Sequence, residues 1–163
     1  MNLEIEQILS KTIQIGSSDI YKTNNIDKLI LHKLKHYECK CSEQGYIMKD
    51  TTEIIQRSMG KICSIDKKSM IEYKINYKIK SILPTIGDKY NCIIGSITKM
   101  GLICYTEFEG STSVTDTPLL IIIPREYCNL EKLKVDDKIE IITVDLRIKF
   151  MSPQIQLIGK IVD

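Results

Sequence analysis

The chain has 163 residues, 43% hydrophobic and 27% charged, with a formal net charge of +2: enough for one medium domain or two small ones, in a balance ordinary for a globular protein. No run approaches the roughly 18 apolar residues of a membrane span, and the opening Met1-Asn2-Leu3-Glu4-Ile5-Glu6 lacks the basic start of a signal peptide. Residues 1–80 hold 14 Lys/Arg against 10 Asp/Glu and residues 81–163 hold 9 against 11, so neither half carries the strongly basic excess of an autonomous nucleic-acid binder.

In chain order, a weakly alternating start predicts a strand at 12–15, and Gly16-Ser17-Ser18 a turn. From Asn24 the period changes. Ile26, Leu29, Ile30, Leu34 and Tyr37 share one helical face, and Asn24 or Asn25 suits an N-cap, which predicts an amphipathic helix over 25–37. Short strands follow at Tyr46-Ile47-Met48, Glu53-Ile54-Ile55 and Lys61-Ile62-Cys63. Over 71–79, Ile71, Tyr73, Ile75, Tyr77 and Ile79 alternate with Glu72, Lys74, Asn76 and Lys78, a period of two that marks a strand with one face buried and one wet.

Pro84 and Gly87 punctuate the chain and set a domain boundary at about residue 82. Five strand-like segments follow, at 90–97, 102–108, 119–123, 138–148 and 154–161. Residues 125–135 form the one long gap, with room for a short helical turn. Five strands with that gap between the third and fourth is the order of an OB-fold barrel. The expected architecture is α+β: a small helix-on-twisted-antiparallel-sheet domain over 1–82, then a five-stranded OB-fold β-barrel over 83–163.

No catalytic constellation is visible. The glycines form no phosphate-binding loop. The cysteines (Cys39, Cys41, Cys63, Cys92, Cys104 and Cys128) contain no C-x-x-C pair, and the only histidines are His32 and His36 at helical spacing. The histidines read as solvent-facing helix residues and the cysteines as small core hydrophobes. Neither a metal nor a cofactor is expected, and no enzymatic activity.

A linear series of motifs runs through nearly the whole chain. Glu38 is followed by Gly45-Tyr46-Ile47, then Gly60-Lys61-Ile62, then Tyr73-Lys74-Ile75-Asn76-Tyr77-Lys78 leading to Pro84 and Gly87-Asp88. Ile93, Gly95, Ile97, Gly101 and Ile158-Gly159 complete it. In order and spacing the series resembles the larger stalk subunit of multi-subunit DNA-directed RNA polymerases, the family of the eukaryotic seventh subunit and its archaeal equivalent, with counterparts in large DNA viruses. Cys39 stands where that family usually has a second glycine, Ile79 where it has an alanine, and Met100 and Ile103 where RNA-binding barrels of this type often carry aromatics.

The resemblance implies a non-catalytic transcription subunit whose first, truncated RNP-like domain docks on the polymerase core. Glu38, Gly45, Tyr46, Ile47 and Gly60 would form the docking tip. Tyr73, Tyr77, Pro84 and Gly87 would lie at the junction with a smaller stalk subunit, a separate chain. The barrel would face nascent single-stranded RNA through Lys99, Tyr105, Phe108, Arg147 and Lys149, binding it weakly. Tyr105 and Phe108, three apart in a strand, would face opposite sides. Phe150 suits either the core or the RNA face. The implied location is intracellular: virion and host cytoplasm for a viral protein, nucleus for a cellular one. A free-standing OB-fold RNA-binding protein of translation or RNA decay is the alternative.

Overall fold

Two periodicities, two residues for strands and 3.6 for helices, underlie the mixed α+β fold of this chain. The computed structural model describes residues 3–108 and 110–162. It divides into two compact units, Met1–Glu38 with Ile47–Ser81 and Cys39–Tyr46 with Ile82–Asp163.

The first unit opens with strand β1 (Glu4–Gly16), helix α1 (Ser17–Tyr21) and helix α2 (Ile26–Lys35). The strand is much longer than residues 12–15, and the expected turn at 16–18 is where the short helix begins. At the start of α2, Asn25 is extended and its side-chain oxygen accepts from the Lys28 N–H at 3.2 Å. That bond satisfies one of the donors a helix start leaves orphaned. Strands β2 (Cys41–Ser42) and β3 (Gly45–Ile47) come next in the chain, followed by β4 (Glu53–Arg57), β5 (Lys61–Ile65) and β6 (Lys68–Ile82).

The alternation over 71–79 is the middle of β6, which organises this unit. It pairs antiparallel with β4, from Glu53↔Lys78 to Arg57↔Ile75, and with β5, from Lys61↔Glu72 to Ile65↔Lys68. Its other edge takes β1, and the side-chain bonds Gln7–Ser81, Ser10–Asn76 and Gln14–Glu72 run in opposite directions along the two strands. Ile13 and Ile15 of β1, Ile30 and Leu34 of α2, and Tyr73 and Ile75 of β6 form one buried cluster. Burying each such side chain contributes about 1.5–3 kcal/mol.

The second unit holds β7 (Lys89–Thr98), β8 (Gly101–Tyr105), β9 (Leu119–Pro124), β10 (Lys138–Arg147) and β11 (Ile155–Ile161). The expected gap contains two 3-10 turns, Arg125–Tyr127 and Leu130–Lys132. The strands close into a barrel in the order β7-β8-β9-β11-β10. All neighbours are antiparallel except β9 and β11, which run parallel from Ile155↔Leu119 to Ile158↔Ile122. This closed five-stranded barrel is consistent with an OB-fold. Ile94, Leu102, Leu119, Ile121, Ile123, Ile141, Ile155 and Leu157 are fully buried and fill it. At the β7–β8 turn, Gly101 has φ +145°, and a Cβ there would lie 2.0 Å from the Ile123 carbonyl oxygen. Two backbones touch at that point, which only glycine permits.

Residues 39–46 belong with the barrel, not with the segment that precedes them in the chain. The hairpin β2–β3 pairs Cys41 with Tyr46 and Ser42 with Gly45. The Cys41 N–H donates to the Ser152 carbonyl at 2.8 Å, and the Met151 N–H donates to the Cys41 carbonyl at 2.9 Å. Of the cysteines expected in the core, Cys41, Cys92 and Cys104 are buried, Cys63 and Cys128 are half-buried and Cys39 is exposed. Cys92 and Cys104 meet inside the barrel, where a hydrogen bond between them and burial push the Cys92 thiol well above its ordinary range.

Candidate functional site

The loop between β10 and β11, with the strand ends it joins, gathers two cationic and two amide side chains on the barrel, Arg147, Lys149, Gln154 and Gln156. Arg147 ends β10 opposite Gln156 of β11. Alternation puts their side chains on one face, and the loop returns Lys149, Ser152 and Gln154 to the same place. These five residues line a cleft of about 180 Å³. A water occupies about 30 Å³ of liquid, so the cleft has room for a phosphate group with some of its hydration.

The loop is held at both ends. The Gln154 side-chain amide donates to the Val114 carbonyl at 2.6 Å and to the Thr117 carbonyl at 3.0 Å. The Ser152 hydroxyl donates to the Gln154 carbonyl at 2.9 Å, and the two backbone bonds to Cys41 fix Met151 and Ser152. Arg147 and Lys149 are exposed, and neither enters an ion pair among the described residues. Phe150 stands beside them with 66% of its surface exposed. A guanidinium fork, an ammonium, an exposed amide and an exposed aromatic ring are the parts that hold a phosphate and stack on a base.

Of the residues expected to face RNA, the structure brings Arg147 and Lys149 together. Lys99 lies in the exposed β7–β8 turn, outside that cleft. Tyr105 is only 8% exposed. A Cβ on Gly95 would meet its Cδ1 at 3.4 Å and Val114 Cγ2 at 2.4 Å, so the 110–117 loop covers this side of β7 and β8. A covered ring offers no face to a base. Strand β8 ends at Tyr105, so Phe108 is not in the strand with it as expected, and it is half-buried beyond the strand end.

The residues expected at a docking tip are engaged within the chain. The buried Glu38 carboxylate accepts from the Asp50 N–H at 2.9 Å and the Thr52 N–H at 3.1 Å, closing the turn before β4. Gly45 is buried with φ +92°, and a Cβ there would sit 2.2 Å from the Ile82 carbonyl oxygen. The close backbone approach this glycine permits is therefore to its own chain. Tyr46 is half-buried, and burial, with Cys39 and Cys41 beside it, raises its phenol above the ordinary range. Ile47 is buried. Gly60 is exposed between Met59 and Ile62, which are also exposed, and a Cβ on it would meet Ile71 Cγ2 at 2.7 Å and the Tyr73 ring at 3.0 Å.

Among the expected junction residues, Tyr73 is buried in the first unit's core and Tyr77 is half-buried. Burial, with the Tyr37 phenol nearby, raises the Tyr77 phenol. Pro84 is buried; Gly87 is exposed, and its N–H donates to the Thr143 carbonyl at 2.8 Å. No group of three or more His, Cys, Asp or Glu side chains among the described residues is placed to hold a metal, and no described helix is long and apolar enough to cross a membrane.

Ser152, Gln154 and Gln156 are not marked out by sequence pattern, and the pattern around Phe150 suits core and surface equally. The one signal for them is their position around a short loop between the last two strands of a barrel, the loop that carries ligands in many OB-folds. Comparison with models of protein families gave no match, and comparison with curated proteins gave none.

Proposed function

We propose that this chain is a non-catalytic stalk subunit of a DNA-directed RNA polymerase, whose barrel meets nascent single-stranded RNA at the Arg147–Lys149 cleft. The resemblance of its motif series supplies the polymerase context, including a smaller stalk subunit and the core enzyme as partners. The observation that carries the RNA-facing part is the cleft itself: two exposed cations without ion pairs among the described residues, on a loop tied down at both ends, beside an exposed phenylalanine. The barrel half is net acidic, so attraction must be local and the complex weak.

Neutralising two phosphates releases counterions, which predicts a log–log salt slope of about −1.4 on single strands. Replacing Arg147 and Lys149 together by alanine flattens that slope to near zero, while circular dichroism of the variant stays that of the parent. Fluorescence anisotropy with a short labelled RNA at several salt concentrations measures it. A slope unchanged by the double substitution overturns the assignment of this cleft. Affinity purification from the native source tests the polymerase context: large polymerase subunits support it, and ribosomes or nucleases in their place refute it.

A further inference from the structure

The first unit carries a groove with a different character from the barrel cleft. It is lined by Lys11, Thr12 and Ile13 of β1 and by His32, Lys33, His36 and Tyr37 of and after α2, and encloses about 480 Å³. Successive strand residues point to opposite faces. A groove lined by three consecutive residues of β1 therefore runs along the strand's edge. Residues 32, 33, 36 and 37 lie on one side of the helix, by the same periodicity argument.

That edge is open. Among the described residues, β1 pairs only with β6, so its other edge presents N–H and C=O groups with no strand beside them. Such an edge is a template for a further strand unless something blunts it. The groove also has a definite charge. Its ionisable lining is two lysines, two histidines and a tyrosine, and no carboxylate contributes. The Lys11 ammonium lies over the Tyr37 ring, 3.7 Å from its centroid, which holds the charge beside the groove.

We propose that the groove between the outer edge of β1 and helix α2 takes an extended, acidic peptide segment of a partner protein, added to the sheet as a strand along β1. The strand edge supplies main-chain hydrogen bonds, the source of affinity in strand addition. Lys11 and Lys33 select acidic side chains at alternate positions. RNA fits less well. A nucleic-acid backbone cannot match a strand's alternating donors and acceptors, and the Tyr37 ring that a base would stack on is covered on one face by Lys11 and lies in an edge-to-face pair with His36. The inference does not rest on the RNA-facing reading of the barrel.

The test uses the full chain and a labelled peptide of alternating Glu and Val, about six residues long, the usual length of a strand. Controls are the same peptide with Gln or Lys for Glu, and a uridylate oligomer of equal charge. Anisotropy is expected to show binding of the Glu peptide alone among the peptides. Replacing both His32 and Lys33 by Glu on the exposed helix face weakens it at least about tenfold. R147A/K149A leaves it unchanged. Amide exchange along β1 slows when the peptide binds. If the helix-face variant misfolds by circular dichroism, K11Q/K33Q serves instead and must still weaken binding.

Several results overturn the proposal: no binding at about 1 mM peptide, equal affinity for the Gln peptide, or affinity retained in the folded charge variants. Binding without slower exchange in β1 overturns strand addition. Uridylate displacing the peptide, with loss of that competition in the His32/Lys33 variant, assigns the groove to nucleic acid instead.

Discussion

Replacing Gly45 by alanine tests how the hairpin β2–β3 is seated. At φ +92° an L-residue is strained by about 1–2 kcal/mol, and the added Cβ would sit 2.2 Å from the Ile82 carbonyl oxygen. An ordinary contact is more than 1 Å longer, so either residues 82–83 or the hairpin must shift by about that much. A shift of that size breaks the two backbone bonds joining Cys41 to Met151 and Ser152, at about 1 kcal/mol each. The sum is about 3–4 kcal/mol, a large share of the 5–15 kcal/mol typical of folded domains. At about 4–8 °C per kcal/mol, the transition of the unit holding the hairpin should fall by about 10–30 °C. Thermal melting by circular dichroism, with urea titration as a check on cooperativity, reads this directly. A G45A protein melting within about 3 °C of the parent would refute the packing argument, and with it the assignment of this glycine to an internal contact.

Replacing Phe150 by alanine should weaken single-stranded RNA binding by about 1–3 kcal/mol, the usual contribution of one stacked base, and should leave the salt slope unchanged. Anisotropy at two salt concentrations separates the two effects; unaltered affinity would return Phe150 to a plain exposed hydrophobe. The cysteines of the hairpin should differ in reactivity. Burial pushes the Cys41 thiol up to about 11, so at about pH 8 it is almost wholly protonated as well as inaccessible, while Cys39 is exposed. Mass spectrometry after brief iodoacetamide treatment should find Cys39 modified and Cys41 intact until the protein is unfolded. Equal labelling of the two would contradict the hairpin's placement.

What sequence patterning shows well is what repeats along the chain. The five barrel segments, the gap after the third and the α2 stripe carry period-two or period-3.6 signals over several residues, and each element lies within a few residues of its expected place. The start of β1 is hidden because Gln7 and Lys11 interrupt the parity shared by Leu3, Ile5, Leu9, Ile13 and Ile15; the Gln7 amide bonds to Ser81 and the Lys11 ammonium lies over the Tyr37 ring. Tyr105 departs from its expected place because a loop, not a strand, covers it, and the Val114 contact leaves no period in either segment. The roles of Phe150 and Gln154 stay out of sight for the same reason. A two-residue strand such as β2 has no period at all, and its bonding partners, residues 151 and 152, lie more than a hundred residues further along the sequence. The residues expected at a docking tip draw attention through motif order, which says nothing of whether a glycine's close contact is with a partner or with its own backbone.

The division of the chain between its units has a consequence for how the protein is made. The polypeptide passes from one unit to the other three times, after Glu38, after Tyr46 and after Ser81. During synthesis the first unit can complete its sheet once β6 has left the ribosome. Strand β2 at 41–42 cannot be fully seated by then, because the backbone partners of Cys41, at 151 and 152, are made more than a hundred residues later. Gly45 can seat against Ile82 as soon as β6 is made, but Cys41 must wait for its later partners, its backbone groups open to other chains in the meantime. Closing so long a loop is slow. A chain halted before residue 151 would carry a finished first unit and a hairpin lacking its bonds to residues 151 and 152, a species that a ribosome-bound crosslinking experiment could catch.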